Sequence, residues 1–137
     1  MLGEAKDSVL LVVDVQNDFC HPEGLFAKAG LELTGIQASV GKLLPLIDIA
    51  RSSGLPVIFV KTFHDAWNNS PSFIERQMRK AARAEICATG TWGAEYYRVQ
   101  PTIDDCEVVK HRYSAFVGTT LEVICVRWPA RQSSLLE

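Results

Sequence analysis

The feature that most limits how this chain can fold is an unbroken apolar run, Val9 to Val13, that leads directly into a polar cluster. Three of its five side chains are β-branched, which favours a strand. A short apolar run without alternation is typical of a strand covered on both faces, as in a parallel sheet. Asp14 follows at the carboxyl end of that strand, where open α/β sheets bind ligands. A carboxylate there is either a cap or loop anchor, or a working group in a cleft.

Two further segments predict strands that run beside the first. Residues 55–62 and 106–110 are both apolar in the middle, and residues 34–53 carry apolar side chains at helical spacing. A strand, a helix and a second strand form a right-handed crossover, so the strands should be parallel. Lys110 then ends the third strand as Asp14 ends the first. Taken alone, this lysine is better explained as a strand-end charge in solvent.

Composition excludes several classes of function. The net charge of −2 gives no argument for binding nucleic acid or an anionic membrane. No apolar stretch approaches the roughly 20 residues that span a bilayer, and the charged first residues do not resemble a secretion signal. The four cysteines lack paired C-x-x-C spacing, which argues against a zinc ribbon or a disulfide framework. We therefore expect a cytoplasmic globular protein with no membrane or nucleic-acid partner.

Three residues near the predicted sheet edge are candidates for a pocket or a metal site. Phe19 either lines the cleft or packs in the core, and Trp67 either lines the pocket or packs down as a loop aromatic. His64 lies in the polar loop after the second strand, but no second histidine occurs before His111. Metal sites usually take three or more protein ligands. The sequence therefore predicts no metal.

Three blocks of sequence resemble isochorismatase-like cysteine hydrolases. DVQNDFCHPEG, which begins at Asp14, resembles the D-x-Q-x-D-F signature of that family. VVKHRYSAFVGTTLE, from Val108 to Glu122, resembles its lysine segment, and CATGTWGAE, from Cys87 to Glu95, resembles the stretch before it. Three blocks in the same order form a specific signal.

The resemblance implies a fold and a chemistry. The fold is a three-layer α/β/α sandwich with a parallel sheet, in which the strands predicted here lie in the spatial order third, second, first. The activity is hydrolysis of a small amide, ureide or carbamoyl substrate by an Asp-Lys-Cys set, in which Asp14 and Lys110 take the first two roles. The resemblance implies no organic cofactor, and a homo-oligomer for the full-length family form.

The end of the chain departs from the family pattern. Residues 1–124 correspond to the N-terminal part of the domain, whereas residues 125–137 form a divergent tail in which Pro129 is expected to end the last helix. Fewer residues follow Lys110 than the roughly 30 of a strand–helix–strand unit, so we expect the C-terminal strands and the nucleophilic cysteine to be missing. Cys20 and Cys125 are poor substitutes, because a reactive thiol needs a base and a positive or amide-rich setting. The alternative function is a catalytically inactive form that binds a full-length partner through its open sheet edge.

Overall fold

The structure is a computed structural model that describes residues 8–79 and 85–133, with side chains as far as Trp128. Three strands and five helices are present in these segments. They follow one another as β1 (Leu10–Val13), α1 (Asn17–Cys20), α2 (Leu25–Lys28), α3 (Thr34–Ser52), β2 (Val57–Thr62), α4 (Pro71–Arg79), β3 (Cys106–Lys110) and α5 (Leu121–Ser133), with a short 3₁₀ turn at Trp92–Ala94.

The three strands form one parallel sheet in the order β1-β2-β3. Leu10 lies opposite Val57 at the start of the first pair, and Thr62 lies opposite Lys110 at the end of the second pair. Both the parallel direction and the spatial order predicted from the sequence are confirmed. The register aligns the carboxyl ends of all three strands along one edge of the sheet.

Helices cover both faces of this sheet. Alternate residues of β2 point to opposite faces, so that its side chains enter two separate cores. Val57 and Phe59 belong to a core shared with α3, whereas Ile58 and Val60 belong to a second core shared with α5. All four side chains are 2% exposed or less. The described chain therefore forms the expected three-layer α/β/α arrangement around three strands.

The two long helices each contain a proline. Pro45 lies inside α3, which begins at Thr34 and continues through the proline to Ser52. The buried side chains of Val40, Ile47 and Ala50 hold that helix against the sheet. The prediction that Pro129 ends the last helix is wrong, because α5 continues to Ser133. An internal proline costs a helix about 3 kcal/mol.

Packing of the first turns of α5 stabilises it independently of Pro129. Leu121 is fully buried, and Ile124 packs against the same cluster. Since α5 crosses residue 125, the division into a domain of residues 1–124 and a tail of residues 125–137 stays a prediction, and residues 134–137 lie outside the described residues. Among the helices described, none is long and apolar enough to cross a membrane.

The carboxylate of Asp18 anchors the loops above the sheet edge. It is 5% exposed and accepts hydrogen bonds from the backbone N–H groups of Leu25 at 3.2 Å and Cys87 at 2.7 Å. Gly93 lies against it so closely that an added Cβ would be 2.2 Å from Asp18 Oδ2. Asp18 therefore joins α2 to the loop before β3, and this packing requires glycine at position 93.

We predict that Gly93→Ala lowers the free energy of unfolding by about 2–3 kcal/mol, because the new methyl group must displace a buried, hydrogen-bonded carboxylate. Chemical denaturation of the purified chain measures this change. Gly35→Ala is the matched control, since nothing lies within 4 Å of the place that a Cβ atom would take there. If the two alanine variants were equally stable, the proposed role of Asp18 would be wrong.

Candidate active site

Asp14, Thr62 and Lys110 meet where the three strands end. Lys110 Nζ lies 2.9 Å from Asp14 Oδ2, and the Thr62 hydroxyl donates to Asp14 Oδ1 at 2.8 Å. The lysine side chain is 6% exposed and the aspartate side chain 32% exposed. Asp14 and Lys110, which lie at the ends of the first and third predicted strands, are thus in direct contact, and Thr62 of the middle strand contacts the same carboxylate.

A backbone turn at Asp14 brings its side chain to the strand end. Its N–H still donates to Val60 O at 2.9 Å, so the residue completes the β1–β2 ladder. Its φ of 57° then turns the chain out of the strand direction. This left-handed conformation is uncommon outside glycine, although aspartate tolerates it better than most residues. The backbone therefore leaves the pleat at Asp14, and the carboxylate lies at the edge of the sheet.

Beyond Asp14, β1 no longer pairs with β2, and the side chain of Gln16 takes its place as the hydrogen-bond partner of β2. Its carboxamide accepts from Thr62 N–H at 2.7 Å, and donates to Thr62 O at 2.9 Å and to Ala94 O at 2.7 Å. Gln16 is fully buried. It thus satisfies both backbone groups of Thr62 as a neighbouring strand would, and joins them to the loop that contains Ala94.

Lys110 is held as a donor beside the carboxylate. Besides its contact with Asp14, the ammonium group donates to Tyr113 O at 3.0 Å. An ammonium group has three protons, and the contacts described for Lys110 use two of them. The arrangement can place one further proton, and a positive charge in a largely buried setting, beside whatever binds at Asp14.

Comparison with known proteins assigns this arrangement to a family. Residues 8–127 match the isochorismatase domain. The chain belongs to the isochorismatase family. The match includes all three strands and both residues of the Asp14–Lys110 pair, so the resemblance inferred from the sequence motifs is confirmed.

Individual relatives support the same family assignment. The ureidoacrylate amidohydrolase RutB of Variovorax paradoxus is 30% identical over 131 residues, which cover 86% of this chain and 52% of RutB. Among solved structures, an isochorismatase family protein of Desulfovibrio vulgaris superposes with a TM-score of 0.70 at 28% identity, covering 88% of this chain and 60% of its own. An N-carbamoylsarcosine amidase of Thermoplasma acidophilum gives a TM-score of 0.61 at 27% identity, covering 91% of this chain and 74% of its own. The chain spans about half the length of the curated relatives it matches.

The two aromatic residues predicted for the pocket are placed differently from one another. Phe19 is partly buried, packs against the α3-side core and makes an edge-to-face contact with Phe26 at 5.0 Å. That placement favours the alternative in which Phe19 is a core aromatic. Trp67 is 96% exposed and packs into neither the core nor a pocket of the described residues. A substrate-binding role for either residue stays a prediction.

The histidine of the loop after β2 has a structural environment. His64 Nδ1 pairs with Asn69 Oδ1 at 2.9 Å, and its ring stacks on Phe73 with a centroid distance of 4.0 Å. The described residues include no group of three or more His, Cys, Asp or Glu side chains that could hold a metal ion. The contacts described for His64 thus join it to Asn69 and Phe73, and the absence of a metal stays a prediction.

The environments of Cys20 and Cys87 are not those of activated thiols. Cys20 and Cys87 are 3% and 0% exposed, and burial raises the pKa of both thiols. The negative charge of Asp14 adds to this effect at both positions. Cys106 and Cys125 pack against the core on the α5 side. A nucleophilic thiolate needs a lowered pKa, so Cys20 and Cys87 are unsuited to that role.

Two residues of the site were not identified as functional candidates from the sequence. Thr62 ends β2 after four apolar residues and Lys61, and a polar residue at a strand end is the signal that made Asp14 and Lys110 candidates. It could therefore have been found by applying that signal to all three strands. Gln16 is different, because nothing in the sequence shows which backbone groups its amide will bind.

We predict that Gln16→Met lowers the free energy of unfolding by about 3 kcal/mol, because it leaves buried backbone groups of Thr62 and Ala94 without partners. Equilibrium denaturation in urea measures the loss. Gln37→Met is the matched control, since that half-buried side chain makes one bond, to Cys20 O, and should cost about 1 kcal/mol or less. Equal losses in the two variants would contradict the bridging role of Gln16.

Proposed function

We propose that this chain supplies the general base and the cation of a hydrolase that cleaves C–N bonds in small amides or ureides. Asp14 is the base and Lys110 is the cation. The observation that carries the proposal is the 2.9 Å contact between these two side chains at the carboxyl edge of a parallel sheet, where such sheets bind ligands. A carboxylate beside a largely buried ammonium group can hold a proton and stabilise a negative charge at one place.

The chemistry follows from these roles together with a cysteine thiol. Asp14 takes the thiol proton, and the thiolate attacks the carbonyl carbon of the substrate. The C–N bond breaks, the leaving nitrogen takes the proton from Asp14, and a thioester remains on sulfur. Water then gives a proton to Asp14 and attacks the carbonyl carbon of the thioester. The C–S bond breaks, and the released thiolate takes the proton back from Asp14. Lys110 stabilises the thiolate and the negative charge on the carbonyl oxygen.

The substrate class is proposed from the relatives. One is named for hydrolysis of ureidoacrylate and another for hydrolysis of N-carbamoylsarcosine, and both names denote a carbamoyl nitrogen compound. We propose a substrate of that kind, small enough to lie beside Asp14. No cofactor is part of this mechanism, since proton transfer and nucleophilic attack need none.

The thiol in this mechanism is proposed to lie outside Cys20, Cys87, Cys106 and Cys125. Burial raises the pKa of the first three, and no hydrogen bond described for this chain joins a cysteine sulfur to Asp14 or Lys110. Loss of a nucleophile removes most of the rate of such a set, whatever its other members do. We therefore expect no amide turnover from the 137-residue chain alone.

A chimeric protein tests the proposal directly. In it, residues 1–127 of this chain are joined to the part of the Variovorax RutB that follows the matched region, and loss of ureidoacrylate is followed by chromatography. We expect turnover by the chimera and none by this chain alone. Asp14→Asn and Lys110→Met in the chimera should each reduce kcat by about 100-fold or more.

Two exposed charges provide matched controls. Asp104→Asn and Lys42→Met change the same residue types at exposed positions outside the site, and should leave kcat within about twofold. A folded chimera without turnover would contradict the proposed function. Turnover that survives Asp14→Asn would contradict the role of the base, and turnover by this chain that is lost on Cys20→Ser would identify Cys20 as a nucleophile.

A second candidate function is binding of a full-length partner in place of catalysis. The observation in its favour is that β1 pairs with β2 along one edge, while none of the described strands pairs with its other edge. Val13 at that strand is 44% exposed. An unpaired strand edge can accept another strand. A stable complex of this chain with the Variovorax RutB in size-exclusion chromatography, together with an inactive chimera, would favour this function over hydrolysis.

A further inference from the structure

Thr62 contacts the carboxylate of Asp14 from the middle strand of the sheet. It is 5% exposed, and its hydroxyl donates to Asp14 Oδ1 at 2.8 Å. Lys110 lies directly opposite Thr62 in the β2–β3 register and contacts the other carboxylate oxygen. The two oxygens of one carboxylate are therefore held from two different strands.

The position of Thr62 is itself fixed on both sides. Gln16 binds its N–H at 2.7 Å and its carbonyl at 2.9 Å, and Gln16 is fully buried. Threonine is also stiff about its first side-chain bond, because Cβ carries two heavy atoms. The hydroxyl is thus presented to Asp14 by a backbone and a side chain that have little freedom to move.

Asp14 needs such a partner more than a buried carboxylate would. Its backbone leaves the strand at this residue, with a φ of 57°, and its side chain is 32% exposed. With one oxygen held, a carboxylate can still turn about its Cβ–Cγ bond. Contacts to both oxygens, from β2 and from β3, define the plane of the group.

The two partners of Asp14 differ in what they can do when the carboxylate takes up a proton. An ammonium group donates hydrogen bonds and accepts none, so Lys110 can bind only a carboxyl oxygen that carries no proton. A hydroxyl donates to a carboxylate, and after rotation about its C–O bond it accepts from a carboxylic acid. Thr62 can therefore keep one hydrogen bond to Asp14 in both protonation states.

We propose that Thr62 is a positioning residue that holds the plane of the Asp14 carboxyl group, both when Asp14 takes up a proton and when it gives that proton away. This inference rests on the proposed function, in which Asp14 is the general base. It assigns to the end of β2 a role that the Asp14–Lys110 pair cannot fill. That role requires the hydroxyl group at position 62, and not merely a side chain of the same size.

The test is carbon NMR of the full chain labelled with ¹³C at the aspartate carboxyl carbons. The Asp14 resonance is assigned by its loss in Asp14→Asn. Thr62→Val keeps the branched shape and removes the hydroxyl, so we expect the Asp14 resonance to shift by more than its linewidth. Thr62→Ser restores the hydroxyl and should restore the resonance position.

Thr102→Val is the matched control, because the Thr102 hydroxyl donates to Asp105 Oδ2 at 3.0 Å. It should shift the Asp105 resonance and leave that of Asp14 in place. The proposal is overturned if Thr62→Val leaves Asp14 unshifted while the Thr102 control responds, or if Thr62→Ser shifts Asp14 as far as valine does.

A measurement on the unaltered chain decides the case in which Thr62→Val does not fold. A hydrogen-bonded hydroxyl proton on a buried threonine exchanges slowly with water, so we expect a resolved Thr62 hydroxyl resonance that Asp14→Ala abolishes. Rapid exchange in the unaltered chain would overturn the proposal. These readouts need no turnover, so an inactive chimera would contradict the proposed function without changing the result for Thr62.

Discussion

The alignment of three parallel strand ends is the constraint on which the rest of this structure depends. The register of β2 with its two neighbours brings the ends of all three strands to one edge, so that Asp14 and Lys110 meet although they lie far apart along the chain. An ion pair formed in this way needs little adjustment by flexible loops. A one-residue slip of either register would turn the side chains to the opposite face and separate the two charges.

A buried carboxamide then makes the strand end rigid. β1 leaves the sheet at Asp14, and the backbone groups of Thr62 would lack partners without the side chain of Gln16. Because unsatisfied buried backbone groups are costly, this amide stabilises the fold and also fixes the residue that touches the carboxylate. Asp18, two residues further along the chain, has a similar task, because it joins α2 to the loop before β3 through backbone N–H groups. The same short segment of sequence therefore supplies the charged group and the scaffold that holds it.

The parts of this arrangement that depend on local pattern could be predicted from the sequence. The unbroken apolar runs identified the three strands, and the family motifs at two of the strand ends identified Asp14 and Lys110. The parts that depend on tertiary contacts could not. The environment of Trp67 depends on how its loop lies, and the helix containing Pro129 persists because α5 is anchored near its start by Leu121. Gln16 became recognisable as a bridge only when Thr62 and Ala94 were seen on either side of it.

The central claim is that Asp14 and Lys110 interact directly in a largely buried setting, and a double-mutant cycle measures that interaction. The free energies of unfolding of the unaltered chain, Asp14→Asn, Lys110→Met and the double variant are obtained by urea denaturation. Residues in contact within one network couple by about 0.5–3 kcal/mol, and the near-complete burial of Lys110 places the expected coupling at about 1–2 kcal/mol. Losses that add to within about 0.3 kcal/mol would contradict the account, because they would show that the two charges do not act on one another.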